Sequence, residues 1–163
     1  MTRVRNAFPS KNAYWTEGGP FITDADYATS WAKWAGNYAQ ILKNSARCIL
    51  AWNLVLDENG GPNISPFKCG GVVTLDSGTQ KLTRSGQYWA FAHYSKAVRR
   101  GASVIATTAD RSCIEHVAFA NPGDSHVAVL VNPGEDRDVK CIFENKSLPL
   151  KLPRNSVVTL LWS

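Results

Sequence analysis

The chain has 163 residues, 44% of them hydrophobic and 19% charged, and this composition is typical of a globular protein. Its net charge of +5 does not indicate nucleic-acid binding, because the basic residues are scattered and form no stripe with interleaved aromatic residues. No apolar run approaches the roughly 20 residues of a membrane-spanning helix, and the four cysteines lack the spacing of a zinc site. We therefore expect no membrane span, no nucleic-acid partner, no metal and no cofactor, and four reduced thiols.

A short apolar and aromatic run over residues 13–16 predicts a buried β-strand, and Glu17 follows it directly. Gly18, Gly19 and Pro20 must leave the strand, because proline cannot donate to a sheet and glycine favours a turn. A carboxylate at the carboxyl end of a buried parallel strand lies where α/β barrels build their active sites. We expect the two glycines beside it to leave room for a ligand. A solvated turn residue is the alternative interpretation of this segment alone.

An amphipathic helix is predicted over residues 27–44, because an N-cap signature at Thr23 is followed by bulky residues at steps of three and four. The nearly continuous apolar run 48–56 suits a strand buried on both faces. Strand, helix and strand in this order form a βαβ unit with a right-handed connection. Two such strands cannot close into a barrel and leave both sheet edges bare, so we expect further βα units outside this sequence.

The next segment is a loop rich in Gly, Pro and Asn over residues 57–69, followed by a short predicted strand over 72–75. A second helix is predicted over residues 86–98, and Gly101 ends it after two arginines. These elements complete the α/β part of the chain.

From Val104 onward the pattern changes to short β-branched runs separated by turns, which predicts an antiparallel sheet or sandwich. The change places a domain boundary near residue 101, between an α/β part over 1–101 and an all-β part over 102–163. The predicted strands are 114–119, 127–131, 139–143, 148–152 and 157–162.

Three motifs stand in order along the chain: Thr16-Glu17, Trp-Asn-Leu…Gly-Gly-Pro-Asn over residues 52–63, and the run 88–96. Together they resemble the family 30 glycoside hydrolases, which include glucosylceramidases and endo-β-1,6-glucanases. The closing half of the chain is similar to the C-terminal β-sandwich of that family. The resemblance implies that residues 1–101 are the last two βα units of a (β/α)8 TIM barrel and that residues 102–163 are the β-sandwich.

In that family the barrel carries a retaining pair of glutamates, and Glu17 matches by its position the nucleophile after the seventh strand. Residues 48–56 then match the eighth strand, and residues 86–98 match the eighth helix. The acid/base glutamate of the family lies in an Asn-Glu-Pro type motif, which this sequence does not contain. The resemblance thus implies a β-linked glucoside or glucan substrate, dependence on the missing N-terminal barrel portion, and a secreted or periplasmic full-length protein.

The aromatic and polar residues near the two strand ends are candidates for binding the sugar. Trp52 is the stronger candidate, because an indole ring can stack on a pyranose; Asn53 points to the opposite side of the strand and is weaker. Trp15 shares the face of the candidate nucleophile and lines the pocket or packs in the core. Asp57 and Glu58 are the local alternatives for a second carboxylate, with a solvated loop as their ordinary interpretation. The competing function is a non-catalytic carbohydrate-binding β-sandwich module.

Overall fold

The computed structural model describes residues 1–64, 66–110 and 113–163. Its helices are α1 (Thr2–Ala7), α2 (Trp31–Lys43) and α3 (Gly86–Ser95). Its strands are β1 (Ala13–Trp15), β2 (Ala46–Ile49), β3 (Val55–Leu56), β4 (Val73–Leu75), β5 (Leu82–Arg84), β6 (Ser103–Ile105), β7 (Glu115–Ala120), β8 (His126–Asn132), β9 (Arg137–Phe143), β10 (Lys146–Leu152) and β11 (Ser156–Trp162). Helix α1 and strands β5 and β6 were not predicted from the sequence.

Strands β1 and β2 pair in parallel, as expected, with Ala13 opposite Ala46, and helix α2 connects them. The helix begins at Trp31 and not near residue 27, so the predicted start was wrong. The reason is that Tyr27 is drawn away from the helix: its hydroxyl donates to the carbonyl of Gly71 over 2.7 Å, and its own carbonyl accepts the amide of Gly86 over 2.8 Å.

The predicted strand over residues 48–56 is interrupted, because its middle turns to another partner. The carbonyl oxygens of Asn53 and Leu54 accept the amides of Val72 and Val73 over 2.8 and 3.0 Å. The chain thereby leaves β2 and enters a separate three-stranded sheet, in which β4 pairs in parallel with β3 and antiparallel with β5.

The all-β part contains a four-stranded antiparallel sheet in the order β11-β8-β7-β6 and a hairpin of β9 and β10. The five predicted strands are all present, with ends that differ from the prediction by up to two residues. Alternation along β8 buries Val127, Val129 and Val131 completely and leaves Ala128 and Leu130 half-buried on the opposite face.

Helices α2 and α3 cover the face of the four-stranded sheet that carries these valines. Tyr38 of α2 is buried at the centre of the cluster, with its ring centroid 4.6 Å from that of Phe91 of α3. The cluster continues into the sheet through Val117 and Val129. The residues on both sides of the expected boundary at residue 101 therefore share one hydrophobic core.

The segment from the end of β2 to the start of β3 exposes large apolar side chains to solvent. Leu50 and Leu54, which follow β2, and Val55 of β3 are 51%, 73% and 47% exposed. Among the described residues, no helix combines the length and the apolar character needed to cross a membrane.

Candidate active site

Glu17 lies two residues beyond the end of β1, with its side chain exposed. The parallel pairing of β1 and β2 continues past the strand ends toward it. The amide of Leu50 donates to the carbonyl of Trp15 over 2.9 Å, and the amide of Trp52 donates to the carbonyl of Gly18 over 3.2 Å. The backbone on both sides of Glu17 is therefore fixed against the segment that carries Trp52.

Gly18 and Gly19 are needed for close packing and not for open space, which corrects the expectation from the sequence. A Cβ at position 18 would lie 2.2 Å from the Trp15 ring, and a Cβ at position 19 would lie 2.3 Å from the carbonyl oxygen of Trp52. The space beside the two glycines is thus filled by an indole ring and a peptide group. Glycine is required here because any side chain would push these groups apart.

The sequence analysis missed Gln87, which reaches this turn from the first turn of α3. Its side chain is completely buried, and its Nε2 donates to the carbonyl of Gly18 over 3.0 Å. The one signal in the sequence is an amide side chain in a stretch of helix that is otherwise aromatic or small. Its partner is 69 residues away in the chain, so the sequence alone could not identify it.

The three predicted substrate-binding residues lie in different surroundings. Trp52 and Asn53 are both half-buried and follow β2, where the carbonyl of Asn53 is engaged with the amide of Val72. Trp15 packs its ring over Gly18 and edge-on to Tyr38, with 6.3 Å between the ring centroids. Its contacts are those of a residue that supports the core, and its role in substrate binding stays a prediction.

Asp57 and Glu58, the local alternatives for a second carboxylate, follow β3, and both accept hydrogen bonds from residues in loops. Asp57 Oδ1 accepts the amides of Asn59 and Gly61 over 2.9 and 2.7 Å and closes a turn. Glu58 accepts the hydroxyl and the amide of Ser77 over 2.7 and 2.9 Å. These hydrogen bonds lower the pKa of the exposed Glu58 carboxyl, whereas a general acid needs a raised pKa.

Two shallow clefts are found in the described part of the chain. One, of about 300 Å³, lies between the start of α2 and the turn before β11; the other, of about 320 Å³, lies beside the β3–β4–β5 sheet. Glu17 lines neither of them. The four cysteines are free, and the described residues contain no group of three or more His, Cys, Asp or Glu side chains that could hold a metal.

Comparison with known proteins relates both parts of the chain to one family of enzymes. The family model of the glycosyl hydrolase family 30 β-sandwich domain matches residues 101–160. The chain is 32% identical to the endo-1,6-β-D-glucanase of Neurospora crassa, over 98% of this chain and 35% of that protein. It is 28% identical to the lysosomal acid glucosylceramidase of Mus musculus, over 68% of this chain and 22% of that protein.

A solved structure extends the likeness to the arrangement of the whole chain. The crystal structure of SrfJ from Salmonella typhimurium matches with a TM-score of 0.91 at 27% identity, covering 99% of this chain and 37% of that chain. The chain thus spans about a third of the length of the Neurospora crassa glucanase and of SrfJ. It is therefore related to the family 30 glycoside hydrolases, and its residues 101–160 match the β-sandwich domain of that family.

Proposed function

We propose that this chain is the C-terminal portion of a retaining β-glycoside hydrolase and that Glu17 is its nucleophile. On this proposal β1, α2, β2 and α3 are the last two βα units of a (β/α)8 TIM barrel. The observation that carries it is the position of Glu17, an exposed carboxylate two residues beyond a parallel strand whose end is hydrogen-bonded to its neighbour. Active sites of such barrels lie at this end of the strands.

In the proposed mechanism the Glu17 carboxylate attacks the anomeric carbon and forms a glycosyl ester as the bond to the leaving oxygen breaks. A second carboxyl group, about 5–5.5 Å away, gives its proton to that oxygen. It then takes a proton from the water that hydrolyses the ester, which releases the sugar and restores both groups. Asp57 holds the turn in its own loop and Glu58 binds Ser77 in the turn after β4, so the upstream part of the barrel is the proposed source of this second carboxyl group.

Trp52 and Asn53 are the proposed sugar-binding residues of this portion. They follow the strand next to Glu17, and Trp52 is joined to the glutamate's own turn through the carbonyl of Gly18. The indole offers a flat apolar face for a pyranose ring, and the Asn53 amide can exchange hydrogen bonds with sugar hydroxyls. A β-linked glucoside or glucan is the proposed substrate class.

The alternative, a non-catalytic carbohydrate-binding module, has less support. Such a module needs aromatic faces that are free to stack on sugar. On the sandwich the Trp162 ring stacks on His126, with 5.4 Å between the centroids, and meets Phe143 edge-on over 4.8 Å. These rings pack on one another, and the indole nitrogen of Trp162 is buried.

Replacing the nucleophile tests the proposal, in a protein in which this chain is preceded by the upstream βα units. Glu17→Gln should abolish turnover of an aryl β-glucoside while leaving the thermal unfolding curve unchanged, because an amide cannot form the glycosyl ester. A 2-fluoro sugar that traps the ester should label Glu17 alone. Glu58→Gln is the matched control and should keep its activity.

The 163-residue chain by itself is the second arm of this test. It should show no turnover above background, because loss of proton donation commonly costs about 10²–10⁴-fold and the cleft is incomplete. Turnover by the isolated chain that Glu58→Gln removes would assign the second carboxylate to this loop. Activity in Glu17→Gln, or a label on another acid, would refute Glu17 as the nucleophile.

A further inference from the structure

We propose that Gln87 is a positioning residue that sets the direction of the Glu17 carboxylate by holding the carbonyl of Gly18. The inference rests on the proposed role of Glu17. Its basis is the hydrogen bond of 3.0 Å from Gln87 Nε2 to that carbonyl, made by a side chain that is completely shielded from solvent.

The Glu17 side chain makes no hydrogen bond of its own with the described residues, so its direction depends on the backbone on either side of it. The next residue, Gly18, has no side chain to restrict its torsions. Its carbonyl accepts two hydrogen bonds, one from the amide of Trp52 over 3.2 Å and one from Gln87. The Trp52 bond ties the turn to the neighbouring strand, and the Gln87 bond ties it to helix α3.

The first turn of α3 is a rigid support for this contact. The Ser85 side chain accepts the amide of Tyr88 over 3.2 Å and donates to the carbonyl of Val72 over 2.8 Å. Gly86 packs directly on the backbone at Ser30, where an added Cβ would lie 2.6 Å from a backbone nitrogen. The helix therefore cannot shift without breaking contacts on both sides of Gln87.

The other end of the amide faces the Tyr38 hydroxyl in the core. Burial raises the pKa of Tyr38. The Tyr38 hydroxyl and Gln87 Oε1 are both buried, and neither has a hydrogen-bond partner among the described residues. The amide is therefore held by the hydrogen bond that Nε2 donates to the carbonyl of Gly18.

Removing the donor should therefore affect turnover more than binding or folding. Gln87→Leu keeps much of the volume and leaves the carbonyl of Gly18 with one of its two donors. A displacement of about 1 Å at a reacting group can cost about 10²-fold in rate. We expect kcat to fall about 10- to 100-fold with little change in KM, measured in the protein that includes the upstream βα units.

Gln87→Glu separates positioning from packing. Glutamate has nearly the same shape as glutamine, but only its protonated form can donate a hydrogen bond to the carbonyl of Gly18. Its carboxylate would face the carbonyl of Gly18 and repel it, whereas the carboxylic acid restores the hydrogen bond. The ratio of its kcat to that of the wild type should therefore rise as the pH falls. A purely structural role for Gln87 predicts a ratio that is flat or that falls with loss of stability at low pH.

Hydrogen exchange on the 163-residue chain gives a readout that needs no activity. The amide of Trp52 shares its acceptor with Gln87, so Gln87→Leu should speed its exchange more than that of Leu50, which pairs with a different carbonyl. Gln40→Leu is the matched control, because Gln40 bonds Glu115 on an exposed face of α2 and should leave the exchange of Trp52 unchanged.

The outcomes distinguish this inference from the proposed function. Unchanged kcat in Gln87→Leu, or a Gln87→Glu ratio that does not rise at low pH, would overturn the positioning role. If Gln87→Leu fails to fold, the pH dependence of the kcat ratio of Gln87→Glu still tests the positioning role. An active Glu17→Gln protein would refute the nucleophile itself, whereas an inactive one with fully active Gln87→Leu refutes only the inference about Gln87.

Discussion

Replacing Gly86 by alanine should destabilise the chain through a clash between the first turns of its two long helices. A Cβ at this position would lie 2.6 Å from Ser30 N, 2.7 Å from Ser30 C and 2.7 Å from Trp31 N. All three are backbone atoms, so no flexible side chain can yield and α2 and α3 must separate by several tenths of an ångström. The amide of Gly86 also donates to the carbonyl of Tyr27 over 2.8 Å, and that hydrogen bond would lengthen.

Overpacking of this kind typically costs about 1–3 kcal/mol, and we expect the upper half of that range because the obstruction is backbone on every side. For a chain of this length such a loss lowers the melting temperature by roughly 4–12 °C. Gly36 supplies the matched control, since it also lies where α2 meets the rest of the core. A Cβ there would meet Glu115 Cγ at 3.5 Å, an ordinary contact. Gly36→Ala should therefore stabilise the helix by about 0.5–1 kcal/mol.

The assay is thermal unfolding of the two variants and the wild type, followed by circular dichroism, together with urea unfolding at 25 °C. A Gly86→Ala variant as stable as the wild type would show that the two helices can move apart freely. A Gly36→Ala variant that loses as much stability as Gly86→Ala would show that both positions simply reject a methyl group. Either result would refute the argument from the three backbone contacts.

Two further predictions concern association and pH. Because Leu50, Leu54 and Val55 are exposed, we expect the 163-residue chain to self-associate through them. Replacing Leu54, 73% exposed, by Ser should lower this association in sedimentation velocity, with unchanged stability in urea unfolding, whereas Leu56→Ser at a 1% exposed position should unfold the β3–β4–β5 sheet. A Leu54→Ser chain that associates like the wild type would contradict this. Burial lowers the pKa of His93, so the folded protein resists protonation that the unfolded chain accepts. Stability should fall as the pH drops below about 6.5, and the fall should be smaller in His93→Gln, measured by urea unfolding at several pH values.

Local sequence patterns predicted the elements that are defined by the periodicity of their own residues and by the turns that bound them. The parallel pair β1–β2, the start of α3 and the five strands of the all-β part follow from apolar periodicity and turn residues. The start of α2 could not be predicted, because Tyr27 has the spacing of a helix residue and is held instead by Gly71. The interruption before β3 likewise depends on Val72, whose amide competes for the carbonyl of Asn53.

The candidate site also contains residues that local patterns predict and residues whose contacts depend on the fold. Glu17 could be predicted because a carboxylate after a strand and before Gly-Gly-Pro is a local pattern, and because the surrounding motifs resemble a known family. Gln87 could not, because its contact with Gly18 requires the fold of two helices and two strands to be known first. The roles of Gly18 and Gly19 were misread for a related reason: the groups that fill their space come from Trp15 and from Trp52.

The all-β part of the chain contacts both helices that pack behind the candidate site. Strand β11 meets α3 through His93 Nδ1, 2.9 Å from the Thr159 hydroxyl, and the turn before β11 meets α2 through the Trp31 indole, which donates to the carbonyl of Asn155 over 2.5 Å. Both helices thereby rest on the same sheet. Since α3 carries Gln87, any change in the sandwich that tilts α3 should alter the turn that holds Glu17. This coupling gives a physical reason for the two parts of the chain to share one core.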